Sequence, residues 1–234
     1  MIRSIGVWGD SILRGVVLDQ VELRYKRLQE GAVDMFAKLF PGEVKNHSRF
    51  GCTAPRAELS LQKALNNGDT QDLMLLEFGG NDCDFDWVKV SDNPDAPHQP
   101  NTPLNDYKNA IIQMIDSIKA AGKCPVVMNL PPIDANRFFD WVTSPDNVNA
   151  NNVLRFLKEK QFIYRQQERY SMALERIAID CKVKIIDVRS AFLEKRDLQN
   201  YLCDDGMHPN ADGQKIIMDV FRASFSSQDF VMEN

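Results

Sequence analysis

The sequence predicts an α/β fold, with a parallel sheet covered by helices on both faces. Three observations carry this. Short apolar runs alternate along the chain with longer segments whose apolar residues recur at helical spacing. The run Leu-Met-Leu-Leu-Glu-Phe at 73–78 is nearly all apolar, as a strand buried on both faces should be. No repeat, linker or low-complexity tract interrupts the pattern, so the 234 residues are expected to form one domain, 1–234.

The elements follow in order. The first strand is expected at 2–8. A helix follows at 28–40, with Leu28, Val33, Phe36, Leu39 and Phe40 at roughly helical spacing and Pro41-Gly42 as its stop. The second strand is 43–48. Thr53 caps a helix to Asn66, with Pro55 tolerated in its first turn and Asn67-Gly68 after it. The third strand is 73–78. Thr102-Pro103 opens a helix to Ala121, closed by Gly122, and the fourth strand is 125–130. One long helix is expected over 151–181, with Phe156, Ile163, Tyr170, Leu174 and Ile177 as its core positions. The fifth strand is 183–188. Asn210 caps a last helix that turns Ile216, Ile217, Val220 and Phe221 inward.

Composition bounds the function. At 44% hydrophobic and 26% charged, this is ordinary globular material. A net charge of -5 argues against a nucleic-acid or anionic-membrane partner. No basic n-region precedes an apolar run, so no signal peptide is expected, and no run reaches membrane-spanning length. Five scattered cysteines, odd in number and without C-x-x-C spacing, suit reduced thiols and a cytoplasmic location. Three separated histidines and no H-E-x-x-H give no metal site, and no cofactor is expected.

Four short segments fall at strand ends or in loops feeding helices. They are Gly9-Asp10-Ser11, the glycine of Phe50-Gly51-Cys52, Gly79-Gly80-Asn81-Asp82, and Asp205-Gly206-Met207-His208. Ligands bind at the carboxyl ends of strands in open α/β sheets. A serine hydroxyl is a poor nucleophile without an adjacent base. Ser11, His208 and Asp205 form a candidate triad: nucleophile, general base, and the carboxylate that fixes the imidazole tautomer. The backbone N–H groups of Ser11 and Gly51 and the amide of Asn81 are candidate oxyanion donors. Asp10 and Asp82 are expected to buttress the site by hydrogen bonds to backbone.

These blocks resemble the SGNH hydrolase superfamily, the GDSL-type esterases and lipases. Its four signature residues match Ser11, Gly51, Asn81 and His208, in order. Its G-x-N-D block reads Gly79-Gly80-Asn81-Asp82, and its D-x-x-H block reads Asp205-Gly206-Met207-His208. One departure is Ile12-Leu13-Arg14 after the serine, where many members have Leu or Ile-Thr. The resemblance implies a three-layer α/β/α flavodoxin-like fold with a five-stranded parallel sheet, and metal-independent ester hydrolysis. Singly, each residue also has an ordinary reading as a turn, cap or surface residue; the four blocks in order outweigh it.

Other classes fit less well. An α/β-hydrolase needs G-x-S-x-G, and Gly9-Asp10-Ser11-Ile12-Leu13 lacks the second glycine. Neither G-x-G-x-x-G nor a Walker A loop is present. A non-catalytic binding module on the same fold is expected to lose Ser11, Asn81 or His208, and all three are here.

Two segments depart from the alternation, 83–101 and 133–150. Both leave strand ends on the Ser11 side, and long loops there tend to be functional. Trp87, Phe138, Phe139, Trp141 and Met207 are candidate lining residues, with core packing as the competing role for the three aromatics at 138–141. Trp8 is assigned to the core, and Cys52 and Cys83 to apolar filler. The acidic, amide-rich and aromatic content favours a small-molecule or oligosaccharide ester: a short, acetyl-type group on a carbohydrate or similar polar alcohol. The runner-up is a lysophospholipase or acyl-thioesterase. Nothing in the sequence specifies the oligomeric state.

Overall fold

The computed structural model describes residues 2–19 and 21–226, so residues 1, 20 and 227–234 of the expected domain lie outside the described residues. The chain opens with β1 (Ser4–Gly9), then a hairpin of β2 (Val16–Leu18) and β3 (Tyr25–Arg27), then α1 (Ala32–Leu39) and β4 (Glu43–Asn46). Next come α2 (Ala54–Asn66), β5 (Leu73–Glu77), the single turn α3 (Gly80–Cys83), α4 (Trp87–Asp92) and α5 (Leu104–Ala120). Then follow β6 (Cys124–Met128), α6 (Ala135–Val142), α7 (Ala150–Leu157) and α8 (Phe162–Asp180). The last elements are β7 (Lys184–Ile186), α9 (Val188–Leu193), a 3-10 turn (Leu198–Tyr201) and α10 (Ala211–Ser226).

The central sheet has five parallel strands in the order β4-β1-β5-β6-β7. After β1 the chain moves to one side to lay down β4. It then crosses to the other side for β5 and continues outward. The reversal leaves a crevice at the carboxyl end of β1, between β4 and β5, the usual ligand position in doubly wound sheets.

Successive residues of a strand face opposite ways, and β5 shows the consequence. Met74 and Leu76 point into one core with Trp8, Leu61, Ile111, Ile115, Tyr170 and Leu174, under α2, α5 and α8. Leu73 and Leu75 point into the other with Ile5, Val7, Phe36, Phe192, Ile217 and Phe221, under α1, α9 and α10. Burying one such side chain contributes ~1.5–3 kcal/mol. A third cluster joins Phe85, Val90, Phe138, Phe139, Val153, Leu157 and Ile163 from the helices that follow β5 and β6. Among the described residues no helix is long and apolar enough to cross a membrane.

Several boundaries differ from the sequence reading. The helix expected at 28–40 begins at Ala32: a β2–β3 hairpin, which the sequence reading did not contain, runs to Arg27, and Leu28 N just beyond it donates to Gly15 O at 2.8 Å. Gly31 starts the helix, and its N–H donates to the Asp34 carboxylate at 3.0 Å. Thr53 is the N-cap of α2, but its hydroxyl makes no capping bond; the Asp82 carboxylate accepts from Ala54 N instead, at 2.9 Å. Asn210 does cap α10, accepting from Asp212 N and Gly213 N at 3.0 Å each. The single helix expected at 151–181 is two, separated by a turn at Lys158, whose φ is +66°. The segments 83–101 and 133–150 are not irregular loops: they carry α4 and α6.

Candidate active site

Three neighbouring strands deliver the site. The turn after β1 carries Ser11, the loop after β4 carries Gly51, and the turn after β5 carries Asn81. The Ser11 turn is closed by Arg14 N to Asp10 O at 3.1 Å and Val16 N to Ser11 O at 2.9 Å. It is tied to its surroundings by Asn46 Nδ2 donating to Leu13 O at 2.9 Å, and by the buried Gln214. Gln214 donates to Ile12 O at 3.0 Å and accepts from Ala32 N at 2.8 Å.

Asp205 and His208 come from the loop before α10. His208 Nε2 lies 2.9 Å from Ser11 Oγ, and His208 Nδ1 lies 2.6 Å from Asp205 Oδ2. Asp205 Oδ1 accepts from Met207 N at 2.9 Å and His208 N at 3.0 Å. All three side chains are buried. Burial alone would raise the Asp205 pKa, but the His208 hydrogen bond and charge and the two backbone donors outweigh it, so the carboxyl sits below its usual range. The loop depends on Gly206: at φ +70°, a Cβ there would lie 2.6 Å from Asp134 O.

Asn81 and Gly51 flank the serine. Gly51 has φ +66°, and a Cβ on it would meet nothing within 4 Å, so the backbone faces open space. Neither the Ser11 nor the Gly51 N–H is taken up by a backbone acceptor among the described residues. Asn81 Nδ2 donates to Asp10 Oδ2 at 2.9 Å and more weakly to Cys52 O at 3.3 Å. Asp10 Oδ1 accepts from Ile12 N at 2.8 Å, so this residue holds both a backbone donor, as expected, and the Asn81 side chain, which was not anticipated. Behind Asp10 lies the fully buried Glu77, whose Oε2 accepts from Asp10 N at 3.3 Å. Burial and then the Asp10 charge push the Glu77 carboxyl well above its ordinary pKa.

A narrow pocket adjoins the site through Gly80 and Met207, the sequence neighbours of Asn81 and His208. Its walls include Phe85, Trp87, Ile133, Phe138, Leu157 and Ile163. Asp84 also borders it, accepting from Phe85 N and Trp87 Nε1 at 2.9 Å each. Of the expected lining residues, Trp87, Phe138 and Met207 stand here. Phe139 does not: it is packed into the third cluster with Lys160 over its ring. Trp141 turns the other way, toward Tyr25. Phe138 is 4% exposed, so its ring is a wall and not an open face for a sugar.

Tyr25 is the neighbour the sequence reading missed. Its ring centroid lies 4.9 Å from that of His208, 5.4 Å from Phe50 and 5.9 Å from Trp141. Burial and the nearby Asp205 charge push its phenol pKa well up, so it stays protonated. The signal lay in the Val16-Val17-Leu18 run and the Tyr25 beyond a polar turn, an apolar–turn–aromatic pattern that reads as a hairpin.

The fold recurs in known structures. A lipase/acylhydrolase from Enterococcus faecalis superposes with TM-score 0.69 at 17% identity, over 96% of this chain and 95% of that one. A lipolytic protein of the G-D-S-L family from Veillonella parvula gives 0.65 at 14%, over 96% and 98%. The psychrotrophic esterase EstA from Pseudoalteromonas sp. gives 0.61 at 16%, over 96% and 97%. A search of curated protein sequences found no match. The model of the GDSL-like lipase/acylhydrolase family matches residues 7–216, and with the site geometry and fold already described it establishes that the chain belongs to that family of ester-acting hydrolases.

Proposed function

We propose that the protein is a serine ester hydrolase with Ser11 as nucleophile, His208 as general base and Asp205 as the carboxylate that orients it. The observation that carries this is the buried relay Ser11 Oγ to His208 Nε2 at 2.9 Å and His208 Nδ1 to Asp205 Oδ2 at 2.6 Å. Ser11 Oγ bonds to the ester carbonyl carbon as its proton passes to His208 Nε2. The oxyanion receives the N–H groups of Ser11 and Gly51 and the Asn81 amide. An oxyanion is a stronger acceptor than the Cys52 carbonyl, whose 3.3 Å contact is long, so it competes well for that amide hydrogen. Collapse breaks the bond to the alcohol oxygen, which takes the proton from His208. Water then attacks the acyl-enzyme, gives its proton to His208 and releases the acid; Ser11 recovers the proton. A binding module has no use for a base aimed at a buried serine. Among the described residues no group of three His, Cys, Asp or Glu side chains is placed to hold a metal.

The narrow apolar pocket takes the acyl group. Its confinement by Phe85, Trp87, Phe138 and Leu157 supports a short, acetyl-type acyl chain, and the alcohol is a carbohydrate or similarly polar alcohol. The scattered cysteines support a cytoplasmic setting. Ser11→Ala should abolish hydrolysis of acetyl esters while the far-UV circular dichroism stays unchanged. A fluorophosphonate should label Ser11 of the wild type. Full activity in the variant, or labelling elsewhere, would overturn the assignment. In the same assays kcat/KM should fall steeply beyond about four acyl carbons, since a closed pocket excludes added methylenes outright. A maximum at about eight or more carbons would favour a lysophospholipase or acyl-thioesterase.

A further inference from the structure

The reaction requires the leaving oxygen to meet His208 Nε2, because that proton must reach it as the carbon–oxygen bond breaks. Residues that border the buried imidazole therefore lie along the path of the alcohol. The apolar pocket approaches the serine from the Gly80 and Met207 side. The flank defined by Tyr25 is separate. Tyr25 from β3, Phe50 from the loop before α2 and Trp141 from α6 are remote in sequence, yet their rings are contiguous beside His208. Phe50 is 55% exposed, immediately before the candidate oxyanion glycine, and Tyr25 and Trp141 are half-buried. A large aromatic ring left in water at the mouth of a buried triad carries no core packing that would explain it.

We propose that Tyr25, Phe50 and Trp141 form the leaving-group subsite, and that it takes an alcohol presenting a six-membered ring face, either aryl or pyranosyl. The proposal rests on the serine-esterase reading above. Aromatic faces accept flat rings by offset or edge contacts, and the axial C–H face of a pyranose in the same way. The Tyr25 hydroxyl is hydrogen-bonded to Asp205 and Trp141, which fixes its ring beside His208.

The test compares acetyl esters that share the acyl group and differ in the alcohol: phenyl acetate, a mono-O-acetyl methyl xylopyranoside, and ethyl acetate. The readout is the ratio of kcat/KM for each ring alcohol to that for ethyl acetate. Phe50→Ala should lower at least one ratio about tenfold, roughly the worth of one aromatic contact. The ring ester that loses more identifies the alcohol class, and Phe50→Trp should restore its ratio. Hydrolysis of the acetyl-enzyme, followed after a burst, should not follow the variant, because the alcohol has already left. Unchanged ratios in Phe50→Ala and Trp141→Leu would overturn the proposal. So would a loss that follows acyl length at constant alcohol. Absence of any acetyl adduct on wild-type Ser11 would instead overturn the esterase reading, and the proposal with it.

Discussion

As a proposed oxyanion donor, Asn81 would act through one amide hydrogen, and that contribution is separable from binding. The hydrogen facing Asp10 fixes the side chain at 2.9 Å, and the other, held only by the long 3.3 Å contact to Cys52 O, would turn to the oxyanion. Asn81→Ala should lower kcat by roughly 10²–10³-fold, the usual effect of one lost oxyanion donor. KM should change little, because the bond strengthens only as charge develops. A risen KM with an unchanged kcat in steady-state measurements would make Asn81 a ground-state binding residue. Much of this constellation was readable in the sequence, because the Ser11, Asn81 and Asp205–His208 blocks are each contiguous in the chain. Their spatial convergence follows from the strand order. The groups behind and above them were less readable. Glu77 had one signal, a charge in an otherwise apolar strand, but its bond to Asp10 N depends on the β1–β5 register that pairs Gly9 with Glu77. Tyr25 belongs to a strand of three residues, too short for periodicity to register.

Among the elements, α2 shows how one side chain couples two parts of the site. Its first N–H groups need an acceptor, and Thr53 does not supply it. Asp82 does, accepting from Ala54 N with both oxygens, at 2.9 and 3.2 Å. The same carboxylate stands next to Asn81, so α3 and the amino end of α2 are joined just beyond Gly51. Asp82→Ala should destabilise the fold by about 1–3 kcal/mol, a lost cap plus a buried unsatisfied donor. Urea unfolding measures this, and a change within about 0.5 kcal/mol, the range of ordinary surface substitutions, would show that the cap is dispensable. The helix break at 158–161 marks where element boundaries escape sequence reading. Lys158-Glu159-Lys160-Gln161 are all good helix formers, and local propensity gives no stop there. Tertiary packing decides it: Leu157 and Ile163 both bury into the third cluster, and six residues of continuous helix would turn them about 120° apart around the axis.

For the molecule as a whole, the sheet with its two cores forms the frame, and the third cluster is an annex that walls the apolar pocket. The frame was visible because β1, β5 and β6 are buried on both faces and read as short apolar runs between periodic helices. The annex is assembled from short helices in segments 83–101 and 133–163, where no single run is long enough to display a period. It also holds a carboxyl at a low-polarity position. Burial pushes the Asp84 pKa up to about 7, against the opposing bonds from Phe85 N and Trp87 Nε1. In the unfolded chain the same group titrates near ~3.9. Between these values the folded state holds a proton that the unfolded state has lost. Stability therefore falls as pH rises through that window, by up to about 1.4 kcal/mol per pH unit, and the loss is constant above about 7. Asp82, pushed up to about 6 mainly by burial, acts in the same direction at the lower end of the window. Asp84→Asn keeps an oxygen for Trp87 Nε1 and removes only the titration. The stability of this variant relative to wild type should therefore increase steadily from pH 4 to pH 7 and then level off. Thermal unfolding of both proteins across that range measures the difference, in which Asp82 and the other carboxyls cancel. A difference that is flat with pH, or that shrinks as pH rises, would show that Asp84 ionises in the folded protein as it does in water.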